Sequence, residues 1–238
     1  MAFALTTALL LLSAMPASTP TPGPLWSVAI PGHGRAVFVP PSTPGRAPLV
    51  IAIHGSWDRP EWICEMLDRA LRGDAGILCL RGVLRKERPN DGPRWTVGNE
   101  ATTRAELAAA LNVVASTFGD RVMTSRPILS GFSLGAGMAA TLARKEPSAW
   151  SGVLLVEGGM GARVAGLVPK ALPLALGCGT RGCSAKSAAL CRTRSGPCLA
   201  ETDLRYGHSY NPPFEESGAR LLRWLVATAQ AASDATPQ

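Results

Sequence analysis

The chain is 238 residues long, 46% hydrophobic and 17% charged, with a net charge of +7. That length suits one sizeable α/β domain, since no Pro/Gly/Ser-rich linker or charge block divides its middle. The positive charge comes from scattered arginines with few aromatics among them, which argues against a nucleic-acid partner and fits a solvated basic surface or attachment to anionic polymers.

Phe3 to Leu12 is an uncharged apolar run too short to span a bilayer, followed by Ala14, Pro16, Ala17 and Ser18. Residues 1–18 therefore read as a signal peptide and 19–24, rich in proline, as a flexible spacer. The folded domain is expected over 25–230 and a disordered tail over 231–238. This organisation predicts a secreted or periplasmic protein with no stable membrane insertion after cleavage. The cysteines agree: Cys64, Cys79, Cys178, Cys183, Cys191 and Cys198 form an even set without a C-x-x-C pair, so disulfides are favoured over zinc, and neither a metal nor a cofactor is implied.

Trp26 to Ile30 and Ala36 to Val39 read as two antiparallel strands around the turn cluster Pro31-Gly32-His33-Gly34, with His33 at the surface. Pro48 to Ile53 is a continuous apolar run of the kind buried on both faces of a parallel sheet, ending at His54-Gly55. Glu61 to Leu71 carries Trp62, Ile63, Met66, Leu67 and Leu71 at helical spacing, and Gly76 to Leu80 returns as a strand. A helix packed on its own crossover strand brings Cys64 and Cys79 into bridging range, so that pair is predicted. Arg81 to Val97, polar and rich in Arg, Pro, Asn and Asp, reads as a long loop.

Glu100 to Phe118 is a full helix by its apolar spacing, with Gly119 placed for a left-handed cap. Strands follow at Pro127 to Ser130, Gly152 to Val156, Leu172 to Leu176 and Cys198 to Leu204, with a helix from Ser133 to Arg144 and a closing amphipathic helix that turns Leu221, Leu222, Trp224 and Leu225 inward. Alternation of this kind predicts an α/β fold with a mostly parallel central sheet and helices on both faces.

The segment Leu129-Ser130-Gly131-Phe132-Ser133-Leu134-Gly135 is a G-x-S-x-G motif that leaves a strand and enters a helix. A nucleophile at such a corner needs strained backbone angles, and Gly131 and Gly135 remove side chains that would collide with neighbouring segments. The serine hydroxyl needs a base, and His208, in the loop after the last strand, is the one histidine beyond Ser133. The oxyanion of an acyl-transfer intermediate needs amide donors, for which Leu134 and, from the loop His54-Gly55-Ser56-Trp57, Ser56 or Trp57 are the candidates. The His54 ring reads as a tie for that loop.

In that order, His54-Gly55, the Ser133 elbow and Gly207-His208 resemble the α/β-hydrolase superfamily from roughly Pro48 to Ala227, and the compact size resembles its carboxylesterase, dienelactone-hydrolase and polyester-depolymerase or feruloyl-esterase-like branches. The resemblance implies a single-domain α/β-hydrolase fold and ester cleavage, of a small or polymeric substrate, through an acyl-enzyme on Ser133.

The departure is the acid. The resemblance places it after the strand ending near Leu176, in a stretch like G-T-x-D, whereas this chain reads Gly179-Thr180-Arg181-Gly182. Glu146 is expected at the far end of the elbow helix, which leaves Glu157, at the end of the strand after the elbow, as first choice, with Asp203 and Glu201 as alternatives and a Ser-His dyad as a further possibility. Gly182 also motivates a different class of function, a binding module that keeps the fold without efficient chemistry. Cys178, Cys183, Cys191 and Cys198 bracket this altered stretch, and their pairing is left open. Trp57, Trp62 and Trp95 read as packing residues that could instead line a cleft for aromatic or sugar esters.

Overall fold

The computed structural model describes residues 23–87, 89–158 and 165–234. The expected signal peptide, residues 19–22 of the spacer and residues 235–238 of the tail lie outside these. The first strands are β1 (Trp26–Ala29), β2 (Arg35–Val39) and β3 (Ala47–Ile53), followed by helix α1 (Pro60–Leu71) and strand β4 (Gly76–Cys79). A two-stranded ribbon, β5 (Val83–Leu84) with β6 (Trp95–Thr96), precedes helix α2 (Glu100–Phe118). Then come β7 (Val122–Phe132), α3 (Leu134–Lys145), β8 (Gly152–Val156), β9 (Leu174–Cys178), α4 (Arg181–Thr193), β10 (Cys198–Thr202) and α5 (Phe214–Asp234).

Eight of these strands form one sheet in the order β1-β2-β4-β3-β7-β8-β9-β10. Its β1–β2 and β2–β4 pairs are antiparallel and all the others parallel. Strand alternation divides the core. Leu49, Ile51 and Ile53 of β3 face a cluster with Leu107 and Val114 of α2 and Ala136, Ala139 and Ala143 of α3. Val50 and Ala52 face the opposite one, with Ile63, Met66 and Leu67 of α1 and Phe214, Leu221 and Leu225 of α5. Each Val, Leu, Ile, Met or Phe side chain so removed from water contributes about 1.5–3 kcal/mol, so apolar runs on central strands hold both helical layers.

Several expectations are corrected. Arg81 to Val97 is not all loop, because Val83 and Leu84 pair with Thr96 and Trp95; strands of two residues leave no periodicity to read. Gly119 is right-handed (φ −64°), not a left-handed cap, and α2 is instead capped at its start, where the Asn99 side chain accepts the Thr102 amide at 2.9 Å. Helix α4 occupies a stretch for which the sequence predicts no element: it is polar on average, its buried residues are Cys183 and Ser187, and Leu190 and Cys191 are half-buried against the core. Bridges Cys178–Cys183 and Cys191–Cys198 fasten its two ends to β9 and β10, while Cys64–Cys79 joins α1 to β4 as expected. The closing helix runs to Asp234, past the tail boundary at 231. Gly23, at the end of the expected spacer, is docked by its amide on Asp68 of α1 at 2.7 Å.

Candidate active site

Ser133 sits between β7 and α3 with φ 51° and ψ −116°, a region costly for a residue with a side chain. Its amide donates to the Val156 carbonyl at 2.8 Å, which pins the corner to β8. Close packing explains the glycines around it. A Cβ at Gly135 would lie 2.1 Å from the Ile53 carbonyl oxygen, and one at Gly158 would lie 1.9 Å from that of Ser133. The corner is therefore built from three adjacent strand ends, β3, β7 and β8.

His208 arrives from the loop after β10. Its Nε2 lies 2.9 Å from Ser133 Oγ and its Nδ1 3.1 Å from Glu157 Oε2. The His208 side chain is 51% exposed and that of Glu157 3%, so the imidazole meets solvent while the carboxylate is dry. Glu157 leaves the end of β8 with φ 48°, its amide bonded to the Gly177 carbonyl at 3.0 Å. Its Oε1 accepts the amides of Gly179 at 2.5 Å and Thr180 at 2.9 Å, and the Thr180 hydroxyl donates to Oε2 at 3.1 Å. These donors satisfy a carboxylate that burial would otherwise penalise.

The alternative acids lie elsewhere. Asp203 takes both the backbone amide and the guanidinium of Arg205, and Arg205 holds its carboxyl below the ordinary range. Glu201 pairs with Arg220 at 3.0 Å, and Glu146 pairs with Arg104 at the C-terminal end of α3. Gly182 lies exposed in the first turn of α4 with open space around it.

Leu134 is the first residue of α3 and half exposed. The His54–Trp57 loop packs against the corner, since a Cβ at Gly55 would come within 3.3 Å of Ser133 Cβ. Ser56 and Trp57 are exposed at its tip, and Trp57 adopts φ 62°. The buried His54 ring has Nε2 2.7 Å from the Arg81 carbonyl oxygen, as a loop tie would. Trp62 is stacked by Arg59 and Arg94, Trp95 by Arg81, and the exposed Trp57 by Arg85.

Three contributors escape sequence reading. Thr180 stands in a stretch notable there only for lacking an acid. Asp58 and Tyr210 are joined, with Tyr210 Oη donating to Asp58 Oδ2 at 2.5 Å and accepting the Gly55 amide at 3.2 Å. The proximity of Tyr210 to His208 in sequence is the one signal that pointed to the latter pair. Glu157, Cys178 and Cys183 also bring three possible metal ligands within 4.8 Å, but the two sulfurs are joined in a disulfide, which leaves the carboxylate as the ionisable one.

No family model and no curated protein matches the sequence. Solved structures do match its fold. An S-formylglutathione hydrolase from Agrobacterium tumefaciens superposes with a TM-score of 0.60 at 13% identity, covering 86% of this chain and 94% of that one. Acyl-protein thioesterase 2 of Zea mays gives 0.54 at 18% identity, covering 83% and 100%. The Bacillus cereus carboxylesterase gives 0.52 at 20%, covering 81% and 93%. These likenesses, with the sheet order and helical layers described above, show an α/β-hydrolase fold.

Proposed function

We propose that this α/β-hydrolase-fold protein is an exported serine esterase that cleaves carboxylic esters through a covalent acyl-enzyme on Ser133. The observation that carries the reading is the unbroken line from Ser133 Oγ through both nitrogens of His208 to the buried Glu157 carboxylate. Ester hydrolases among the similar folds support the reaction class, and three disulfides support an oxidising compartment.

His208 Nε2 removes the Ser133 proton as Oγ attacks the ester carbonyl, and Glu157 orients the ring and stabilises the imidazolium that forms. Amides of Leu134 and of Ser56 or Trp57 receive the oxyanion. Collapse breaks the bond to the alcohol, which departs with the proton held by His208. Water then gives its proton to His208 and attacks the acyl carbon; the second collapse releases the carboxylic acid and returns the proton to Ser133. The contact of the Glu157 carboxylate with His208 supports the enzyme over the binding module that Gly182 motivates.

The test is hydrolysis of p-nitrophenyl acetate and butyrate by the oxidised protein, with fluorophosphonate labelling. Ser133→Ala is expected to abolish labelling and turnover, and His208→Ala to abolish turnover. A folded wild type that neither labels nor hydrolyses these esters would refute the reading. Export is checked separately by the N-terminal sequence of protein recovered outside the cytoplasm, expected to begin near Thr19.

A further inference from the structure

We propose that Tyr210 is a positioning residue, whose phenol oxygen fastens the oxyanion loop to the segment that carries His208. The inference rests on the esterase reading above and adds a residue to its machinery. One oxygen engages both ends of the turn 55–58, accepting the Gly55 amide at 3.2 Å and donating to Asp58 Oδ2 at 2.5 Å. Between these anchors lie Ser56 and Trp57, the two candidate amide donors.

That turn needs holding. Trp57 at its tip has φ 62°, a conformation that persists in a residue with a side chain only where surroundings over-determine it. Asp58 is itself fixed, because its amide and carbonyl exchange hydrogen bonds with Trp95 at 3.1 and 2.9 Å. The ribbon therefore secures the far end of the turn through the Asp58 backbone, and Tyr210 ties the near end to the Asp58 carboxylate. Burial and the Asp58 charge push the phenol well above its ordinary range, so its proton stays available as donor.

The other end of the connection is the base. Tyr210 follows His208 by two residues, and its ring centroid lies 4.3 Å from that of Phe132, the residue before Ser133; Phe132 in turn lies 5.1 Å from the His208 ring. A single side chain thus spans nucleophile corner, base loop and oxyanion loop. Hydroxyl and ring contribute separately: the ring fills space against Phe132, while only the hydroxyl reaches Gly55 and Asp58.

Tyr210→Phe separates the two, since it keeps the ring and removes the oxygen. In the oxidised full chain, hydrogen exchange at the Gly55 amide is expected to accelerate at least tenfold. The kcat for p-nitrophenyl acetate is expected to fall about 10- to 100-fold with KM within about twofold, a loss short of deleting an oxyanion donor outright. Asp58→Ala should reproduce the fall, the double variant should be no worse than either single one, and Asp58→Asn, which retains an acceptor, should recover most of the activity. Unchanged Gly55 exchange, or unchanged kcat beside an active wild type, would overturn the role of Tyr210 and leave the esterase reading standing. A wild type without turnover or labelling would overturn the esterase reading first, and this role with it.

Discussion

The Glu157 carboxylate meets the Gly179 amide at 2.5 Å, across the ends of two neighbouring strands. An acid carried by β8 is thereby seated in the turn after β9, the turn in which the resemblance leads one to expect the acid itself. Thr180, the N-cap position of α4, contributes its amide to the same oxygen, so the carboxylate lies at a helix start where backbone N–H groups converge. Gly179-Thr180 thus supplies donors in place of a side-chain acid.

Glu157→Gln is expected to lower kcat/KM about 100- to 10,000-fold, because an amide no longer holds the imidazole in its working tautomer or stabilises its charged form. Asp203→Asn should stay within about twofold of wild type, its carboxylate being committed to Arg205. Gly182→Asp should fold, with open space around it, yet fail to rescue Glu157→Gln. Steady-state kinetics on p-nitrophenyl butyrate decide all three; rescue would show that the acid can be supplied from α4 after all.

The disulfides should separate stability from activity. Cys64–Cys79 closes a separation of 15 residues, and its loss by double alanine substitution should cost about 3 kcal/mol on loop-closure grounds while leaving kcat nearly unchanged. Cys178–Cys183 spans only 5 residues, about 2 kcal/mol by the same reasoning, but it shapes the turn whose amides hold Glu157. Its removal should therefore cost less stability than loss of Cys64–Cys79 and lower kcat more. Urea unfolding beside kinetics tests this crossed pattern, and parallel losses would contradict it.

Two glycines near Ser133 should respond oppositely to alanine. At Gly158 a methyl group would press on the Ser133 carbonyl at 1.9 Å, and displacement of the nucleophile by even 1 Å costs on the order of 100-fold in rate. At Gly137, in α3, nothing lies within 4 Å of the added carbon. Gly137→Ala should raise stability by about 0.5–1 kcal/mol through helix propensity, with activity retained. Thermal unfolding and kcat on both variants provide the check.

Asp68 offers a pH test of stability. Burial pushes its carboxyl above the ordinary 3.8, against the lowering pull of the Gly23 amide and of Arg69. The folded chain therefore binds this proton more tightly than the unfolded one, so the ionised group penalises the fold above its folded pKa. The penalty fades as pH falls through that value and is gone below 3.8. Asp68→Asn, which can still accept from Gly23, should raise Tm at pH 7, and the gap should close on acidification. A gap that widens toward low pH would reverse the assignment.

Much of the scaffold was legible because its signals are local. Apolar runs at β3, β8 and β9 and the helical spacing of α1 report burial directly, and the small residues around Ser133 report a corner too crowded for side chains. The βαβ order alone brought Cys64 toward Cys79. Elements held by covalent links or by very short pairings, α4 and the β5–β6 ribbon, left no such pattern.

By itself, then, the sequence determined the layered α/β architecture, the strand-to-helix corner at Ser133 and the position of His208 after the last strand, since hydrophobic period and chain order suffice for these. Tertiary structure decided which acid reaches His208, how the four later cysteines pair, and that Tyr210 joins two loops. Those depend on side-chain direction and on donors brought together from residues far apart in the chain. Chain order puts Glu157 ahead of Asp203 but leaves both open; the φ of 48° at Glu157 and the amides of Gly179 and Thr180 turn the first toward His208, while Arg205 engages the second in an ion pair.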